Sequence, residues 1–197
     1  MEKIILASGS PRRKQLLELA EIPFEIIVSY VEESFPQEFS PSQTAMHVAE
    51  NKAVAVQRSL NNSNKQTILA ADTLVVLEDE ILGKPADRKE AINILKKLSG
   101  KTHKVITGVC ILSSSNRIIF SEETEVEFKP LSKKQIEYYV DNYQPYDKAG
   151  AYAIQEWIGA IGINCIKGDF YNVMGLPVSR VVEELQIKNK ELRIMNA

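Results

Sequence analysis

The sequence predicts an α/β fold in one domain spanning residues 1–197. Three observations carry this expectation. Short apolar runs alternate with helix-start signals, in which a capping residue precedes Pro or stands three positions before Gln or Glu. Two consecutive segments alternate apolar and polar residues with period two, the pattern of neighbouring half-buried strands. No repeat, linker or low-complexity stretch divides the 197 residues, a length that supports a sizeable core with room for two lobes.

The elements follow in order. Lys3 to Ala7 is an apolar run too short for a helix and reads as a buried strand. Ser8-Gly9-Ser10 breaks it, and Ser10 can cap a helix whose first position is Pro11, with Leu16, Leu17, Leu19 and Ala20 as its apolar side. Phe24 to Val28 reads as a second strand. Ser40, Pro41 and Gln43 start a long helix to about Leu60, which the loop 61–64 ends. Ile68 to Leu77 is a strand that turns at Glu78-Asp79 into Ile81-Leu82. Asp87 with Glu90 starts a helix ending near Gly100. Val105 to Ile111 and Ile118 to Phe128 are the two alternating strands, with Glu122, Glu123, Glu125 and Glu127 read mostly as an exposed face. Ser132 with Gln135 starts another helix, Ile161 to Ile166 is a strand, residues 167–177 form a hairpin turn, and Pro177 starts the last helix.

Bulk properties exclude several function classes. Hydrophobic residues make up 44% and charged residues 25%, an ordinary globular balance. A net charge of −2 argues against holding duplex nucleic acid, but leaves a local cationic pocket for a small anion. Cys110 and Cys165 match no zinc signature or disulfide framework and are expected to be buried, reduced packing residues. The start of the chain does not resemble a signal peptide, and no apolar run reaches a membrane span, so a cytoplasmic location is expected.

Chemistry concentrates in a few segments. Ser8-Gly9-Ser10-Pro11-Arg12-Arg13 leads from a strand into a helix N-terminus, where unpaired N–H groups, the helix dipole, two hydroxyls and two forked cations favour a phosphate. The spacing is not that of a Walker loop. Asp72 is a lone carboxylate in an apolar strand, and burying it unpaired costs several kcal/mol unless a metal, a cation or a catalytic duty accounts for it. Thr73 points to the opposite face of a regular strand. Lys84 is presented by the Gly83–Pro85 turn. In Asp147 to Gln155, small residues would let a ligand approach the backbone and Gln155 could read a base edge through its amide. Glu32 and Glu33 are the acidic candidates for a metal, whereas His47 and His103 match no metal-binding spacing. Trp157 reads as core or interface.

Taken in order, Ser8–Arg13, Val31-Glu32-Glu33, Glu50-Asn51-Lys52-Ala53, Ala71-Asp72-Thr73, Gly83-Lys84-Pro85, Leu98–His103, Asp147–Tyr152 with Ile154-Gln155, and Met174–Pro177 resemble the Maf family of nucleoside triphosphate pyrophosphatases. The resemblance covers nearly the whole chain. It implies a fold like that of the inosine triphosphate pyrophosphatases, with a curved mixed sheet flanked by helices and two lobes around a central cleft. It also implies a divalent metal (Mg²⁺ or Mn²⁺), a cytoplasmic location and commonly a homodimer, while net charge and the lack of a long apolar run speak against nucleic acid and membrane as partners. Asp72 falls on the family's proton acceptor. Arg13, Thr73 and Gln155 fall on the positions that mark hydrolysis of dTTP and UTP. Glu33, Lys52 and Lys84 match positions lining the site, with Glu33 and Asp72 near the metal and Ser8, Ser10 and Arg12 on the phosphates. The chain departs from the family pattern at Ala153 and Glu156-Trp157, beside Gln155. Two other classes compete: a nucleotide-binding regulator of cell division without essential catalysis, which needs no carboxylate at Asp72, and a nucleic-acid binder, which net acidity disfavours.

Overall fold

A computed structural model describes residues 3–31, 36, 38–60, 66–113 and 116–188. Among the described residues, seven strands form one mixed sheet in the order β2-β1-β3-β5-β6-β7, with β4 paired to β3. The strands are β1 (Ile4–Leu6), β2 (Phe24–Ile26), β3 (Ile68–Leu77), β4 (Glu80–Leu82), β5 (Thr102–Leu112), β6 (Arg117–Phe128) and β7 (Ile163–Lys167). The chain divides into two compact units: Met1–Asp72, Thr107–Ser121 and Gly175–Ala197 form the first, Thr73–Ile106 and Glu122–Met174 the second.

In the first unit, β1 runs parallel to β2 on one side and to β3 on the other, with Ile5 opposite Ile68 and Leu6 opposite Leu69. The helix α1 (Pro11–Leu19) connects β1 to β2, and α2 (Pro41–Ser59) connects β2 to β3. The helix α2 starts where the sequence predicts: Ser40 Oγ accepts from the Gln43 N–H, and the Gln43 side chain accepts from the Ser40 N–H. Its residues Ala49, Ala53 and Val56 pack into one apolar cluster with Ile5, Ala7, Ile68, Ala70, Cys110 and Leu112. Small residues on this face bring backbone against backbone. A Cβ on Gly108 of β5 would lie 2.2 Å from the Ala45 carbonyl carbon and 2.4 Å from the Met46 nitrogen, so no side chain fits there.

The apolar side of α1 differs from expectation. Leu16 and Leu17 are buried, but Leu19 is 63% exposed and Arg13 is buried in its place. Positions 13, 16 and 17 are one face at i, i+3 and i+4, which Leu19 does not share. Cys110 is buried, and its thiol is pushed up to about 12, chiefly by burial. Cys165 lies on β7 and is exposed, contrary to expectation, because edge strand β7 leaves part of its surface uncovered.

In the second unit, α3 (Arg88–Leu98) and α4 (Lys133–Tyr143) are joined by a forked ion pair between Arg88 and Asp141. Their starts are again the predicted ones: Asp87 accepts from the Glu90 N–H, and Ser132 and Gln135 form a reciprocal cap. Two elements differ. The run expected as a strand over Ile161 to Ile166 is split into α5 (Trp157–Gly162) followed by β7. The expected hairpin turn is a short helix, α6 (Phe170–Met174). Tertiary bonds favour that helix: buried Asn172 donates to the Val105 carbonyl and to Thr124 Oγ1. The last helix, α7 (Val178–Lys188), follows Pro177 as predicted.

His103, Phe128 and Tyr152 pack edge to face at 5.0–5.4 Å between ring centres. His103 Nε2 meets the Tyr152 hydroxyl at 2.7 Å, and burial pushes its imidazole down from an ordinary 6.5 to about 4. Between these values the unfolded chain binds a proton that the folded chain does not. Stability should therefore fall as pH drops from about 6.5 toward 4, by roughly 1.4 kcal/mol per unit from this group. Urea unfolding of wild type and His103→Gln at pH 7 and pH 5 checks this: the acid-induced loss should be smaller in the variant, and equal losses refute the assignment.

Candidate functional site

The first unit brings the Ser8 turn and Asp72 to neighbouring strands. The strand β1 stops at Leu6, whose parallel partner on β3 is Leu69, and Ser8 and Asp72 follow two and three residues further along these neighbouring strands. The chain goes from β1 to β2 on one flank and from β2 to β3 on the other, so the order reverses between β1 and β3. Crevices at the carboxyl ends of strands around such a reversal are where open α/β sheets bind ligands.

Within the turn, Ser8 Oγ accepts from the Ser10 N–H at 3.3 Å and from Arg13 Nη1 at 3.0 Å. Arg13 Nε donates to the Gly175 carbonyl at 2.8 Å, and its side chain is only 8% exposed. Arg13 thus fastens Ser8 to the segment before α7. Ser10 is the N-cap residue, as expected, but its side chain makes no capping bond, and the first turn of α1 holds no acidic residue. Arg12 lies half-buried in that turn. A helix N-terminus carrying two arginines and no acid is electrostatically suited to an anion.

Asp72 answers the cost of a carboxylate in an apolar strand with a cation. Lys52 Nζ lies 2.7 Å from Asp72 Oδ1, with side chains 20% and 14% exposed. The pairing follows from the helix period: Ala45, Val48, Ala49, Ala53 and Val56 form the buried stripe of α2, and Lys52 stands on its margin. Neighbouring Glu50 pairs with Arg117.

The second unit carries three further predicted residues. Thr73 follows Asp72 on β3 and is half-buried. Lys84 is exposed in the turn between β4 and α3. That turn is fastened by the Gly150 N–H, which donates to the Gly83 carbonyl at 3.1 Å. Gly150 takes φ +68°, and a Cβ there would meet the Val75 side chain at 2.9 Å, so both backbone and space require glycine. Gln155 is exposed, directly after the buried run Ala151–Ile154. Trp157 packs on Tyr138 with ring centres 4.8 Å apart.

Sequence reasoning names Lys148 only within a matching segment and Glu156 only as a departure from the family pattern, and it does not single out Tyr139. Lys148 is 7% exposed and sits 2.8 Å from Asp147 and 3.5 Å from Glu156, and Glu156 accepts from the Tyr139 hydroxyl. The spacing Ile136-Tyr139-Val140 marks Tyr139 as a core position of α4, yet no local pattern names its partner. Glu33 lies outside the described residues. Among the described residues, no three His, Cys, Asp or Glu side chains gather as a metal group. Asp72 as a single carboxylate still fits Mg²⁺, an ion that commonly takes one or two carboxylates and fills its shell with substrate phosphates and water.

The sequence pattern of the family described as Maf-like protein matches residues 3–187. A dTTP/UTP pyrophosphatase from Cytophaga hutchinsonii is 50% identical over 192 residues, which is 97% of this chain and 87% of that protein. One from Bacillus mycoides is 52% identical over 186 residues, or 94% of this chain and 95% of its own. Among solved structures, a nucleoside-triphosphatase / dITP/XTP pyrophosphatase from Mycobacterium abscessus superposes with a TM-score of 0.46 at 12% identity, covering 99% of this chain and 100% of that one.

Proposed function

The chain belongs to the Maf-like protein family, and from that membership we propose that it is a nucleoside triphosphate pyrophosphatase that hydrolyses dTTP and UTP to the monophosphate and pyrophosphate. Relatives bearing that activity in their names match at about half identity over nearly the full length. The observation that carries the chemistry is the Lys52–Asp72 pair in the middle of β3, three residues past Leu69, the parallel partner of the last residue of β1, and beside a turn suited to phosphate.

Water attacks the α-phosphorus: a new P–O bond forms, the bond to the bridging oxygen breaks, and pyrophosphate departs. Asp72 orients that water and takes its proton, or shares in holding the metal. Ser8, Ser10 and Arg12 receive phosphate oxygens, while Arg13 keeps Ser8 in place and contributes to base choice. Lys52 and Lys84 offset charge on the departing pyrophosphate. A Mg²⁺ or Mn²⁺ held by Asp72 and Glu33 would draw charge from the phosphate oxygens and make the attacking water more acidic. Working location is the cytoplasm, and the working form is a homodimer. No described helix is long and apolar enough to cross a membrane.

Thymine and uracil share an N3–H donor flanked by two carbonyl acceptors, whereas cytosine replaces the donor with an acceptor and one carbonyl with an amino group. The Gln155 amide offers one acceptor and two donors, so it matches the first pair and mismatches cytosine. Thr73 completes the base-selecting set. The expected result is efficient release of pyrophosphate from dTTP and UTP and poor release from CTP, ATP and GTP. Gln155→Glu should lower kcat/KM for dTTP by roughly tenfold or more, since a hydrogen-bonding site left unmatched rejects its substrate. A wild-type preference for CTP or GTP, or an unchanged ranking in Gln155→Glu, would refute the base-reading role.

A further inference from the structure

The segment that presents Gln155 is held far more tightly than its surface position requires. Ala151, Tyr152, Ala153 and Ile154 are all buried, and Gln155 then projects outward. Ala151 takes φ +58°, a left-handed conformation unusual for alanine. The Glu156 N–H donates to the Ala153 carbonyl at 3.1 Å, closing a turn with Gln155 inside it. Just beyond, a Cβ on Gly159 would lie 1.8 Å from the Ile154 carbonyl oxygen, so the start of α5 packs directly on this turn.

One polar chain fixes the turn at both ends. Tyr139 is fully buried on α4 and stacks on Tyr143 at 5.0 Å. Its hydroxyl accepts from the Ala153 N–H at 3.1 Å, two residues before Gln155, and donates to Glu156 Oε2, one residue after it. Glu156 Oε1 in turn faces Lys148 Nζ at 3.5 Å, and Lys148 is anchored on Asp147 at 2.8 Å. Apolar residues of similar volume would fill this space at no greater cost than a buried ammonium with its carboxylates. What the polar chain supplies is direction. A long, exposed amide can discriminate between base edges only if its backbone is held to about half an ångström.

We propose that Tyr139, Glu156 and Lys148 form a positioning clamp that sets base selectivity by fixing the backbone on either side of Gln155. The inference rests on the dTTP/UTP pyrophosphatase reading. None of the three residues is required to touch the nucleotide. Their effect belongs to base recognition and so to KM, not to the hydrolytic step.

The test is steady-state pyrophosphate release from dTTP and CTP by wild type, Tyr139→Phe, Glu156→Gln and the double variant, with melting temperatures alongside. Tyr139→Phe removes only the hydroxyl. The expected result is a rise in KM for dTTP of about tenfold, the equivalent of one lost hydrogen bond, with kcat changed far less. The ratio of kcat/KM for dTTP to that for CTP falls in parallel. The double variant should fall short of the sum of the two single effects, since the two residues share the Tyr139–Glu156 bond. Glu156, with a partly exposed side chain, supplies the same readout if Tyr139→Phe does not fold. A lowered melting temperature with an unchanged dTTP-to-CTP ratio overturns the clamp, as does a fall in kcat at constant KM. A wild-type protein without preference for dTTP over CTP overturns the reading beneath it, which separates the two failures.

Discussion

Replacing Asp72 with asparagine is expected to abolish pyrophosphate release from every nucleotide while leaving the protein folded. Asparagine preserves size and hydrogen bonding in the β3 position but removes the negative charge. If Asp72 takes the proton of the attacking water, the loss falls in the range of about 10²–10⁴-fold typical of a general base, and it is larger if the carboxylate also holds the metal. The stability effect should be far smaller. The Lys52–Asp72 pair retains contact with water at 20% and 14% exposure, so its loss costs on the order of 1 kcal/mol. Circular dichroism and denaturant unfolding report the fold, and release of pyrophosphate from dTTP reports turnover. Near-normal kcat/KM in a folded Asp72→Asn protein would remove Asp72 from the catalytic machinery.

Arg13→Ala should damage stability and turnover together. Its buried guanidinium ties Ser8 Oγ to the Gly175 carbonyl, and truncation strips both of a charge-assisted partner. At about 1.5–3 kcal/mol for each such bond, the expected destabilisation is roughly 3 kcal/mol or more. Turnover should fall for all nucleotides, because Ser8 belongs to the phosphate turn and phosphates are common to every substrate. Any part Arg13 plays in base choice then appears as an additional change in the dTTP-to-CTP ratio. Melting curves within a degree or two of wild type would show that the guanidinium does not fasten the turn.

Arg13 also marks the limit of what a sequence reveals. Helix starts were legible because their signals are local: Ser40 with Gln43, Asp87 with Glu90 and Ser132 with Gln135 all cap where expected. The strand over Ile68–Leu77 was legible because a long apolar run is periodic in itself. Asp72 stood out as a charge in that run, yet its partner did not, since Lys52 lies twenty positions away and reaches it only after β3 pairs with β1. Burial of Arg13 was equally hidden, because its acceptor, Gly175, comes from the far end of the chain. The two short helices α5 and α6 were misread for a related reason. The strand expected from Ile161 begins two residues later because Ile161 and Gly162 end α5, a six-residue helix whose start carries no side-chain cap to mark it, and the long-range bonds of Asn172 stabilise α6.

The contact between Gly108 and Ala45 gives α2 a fixed fulcrum. Lys52 lies seven residues beyond Ala45, about 10 Å along the helix axis, and the helix is stiff over that length. Whatever lifts the helix at the fulcrum therefore swings the ammonium away from Asp72. Even one methyl group on β5 would do so, since the 2.2 Å approach is to backbone, which has no rotamer with which to yield. The geometry of a charge pair two turns along the same face of the helix is thereby enforced by a position that bears no side chain at all, so an inactive Gly108→Ala protein would have lost its alignment with every site residue still present.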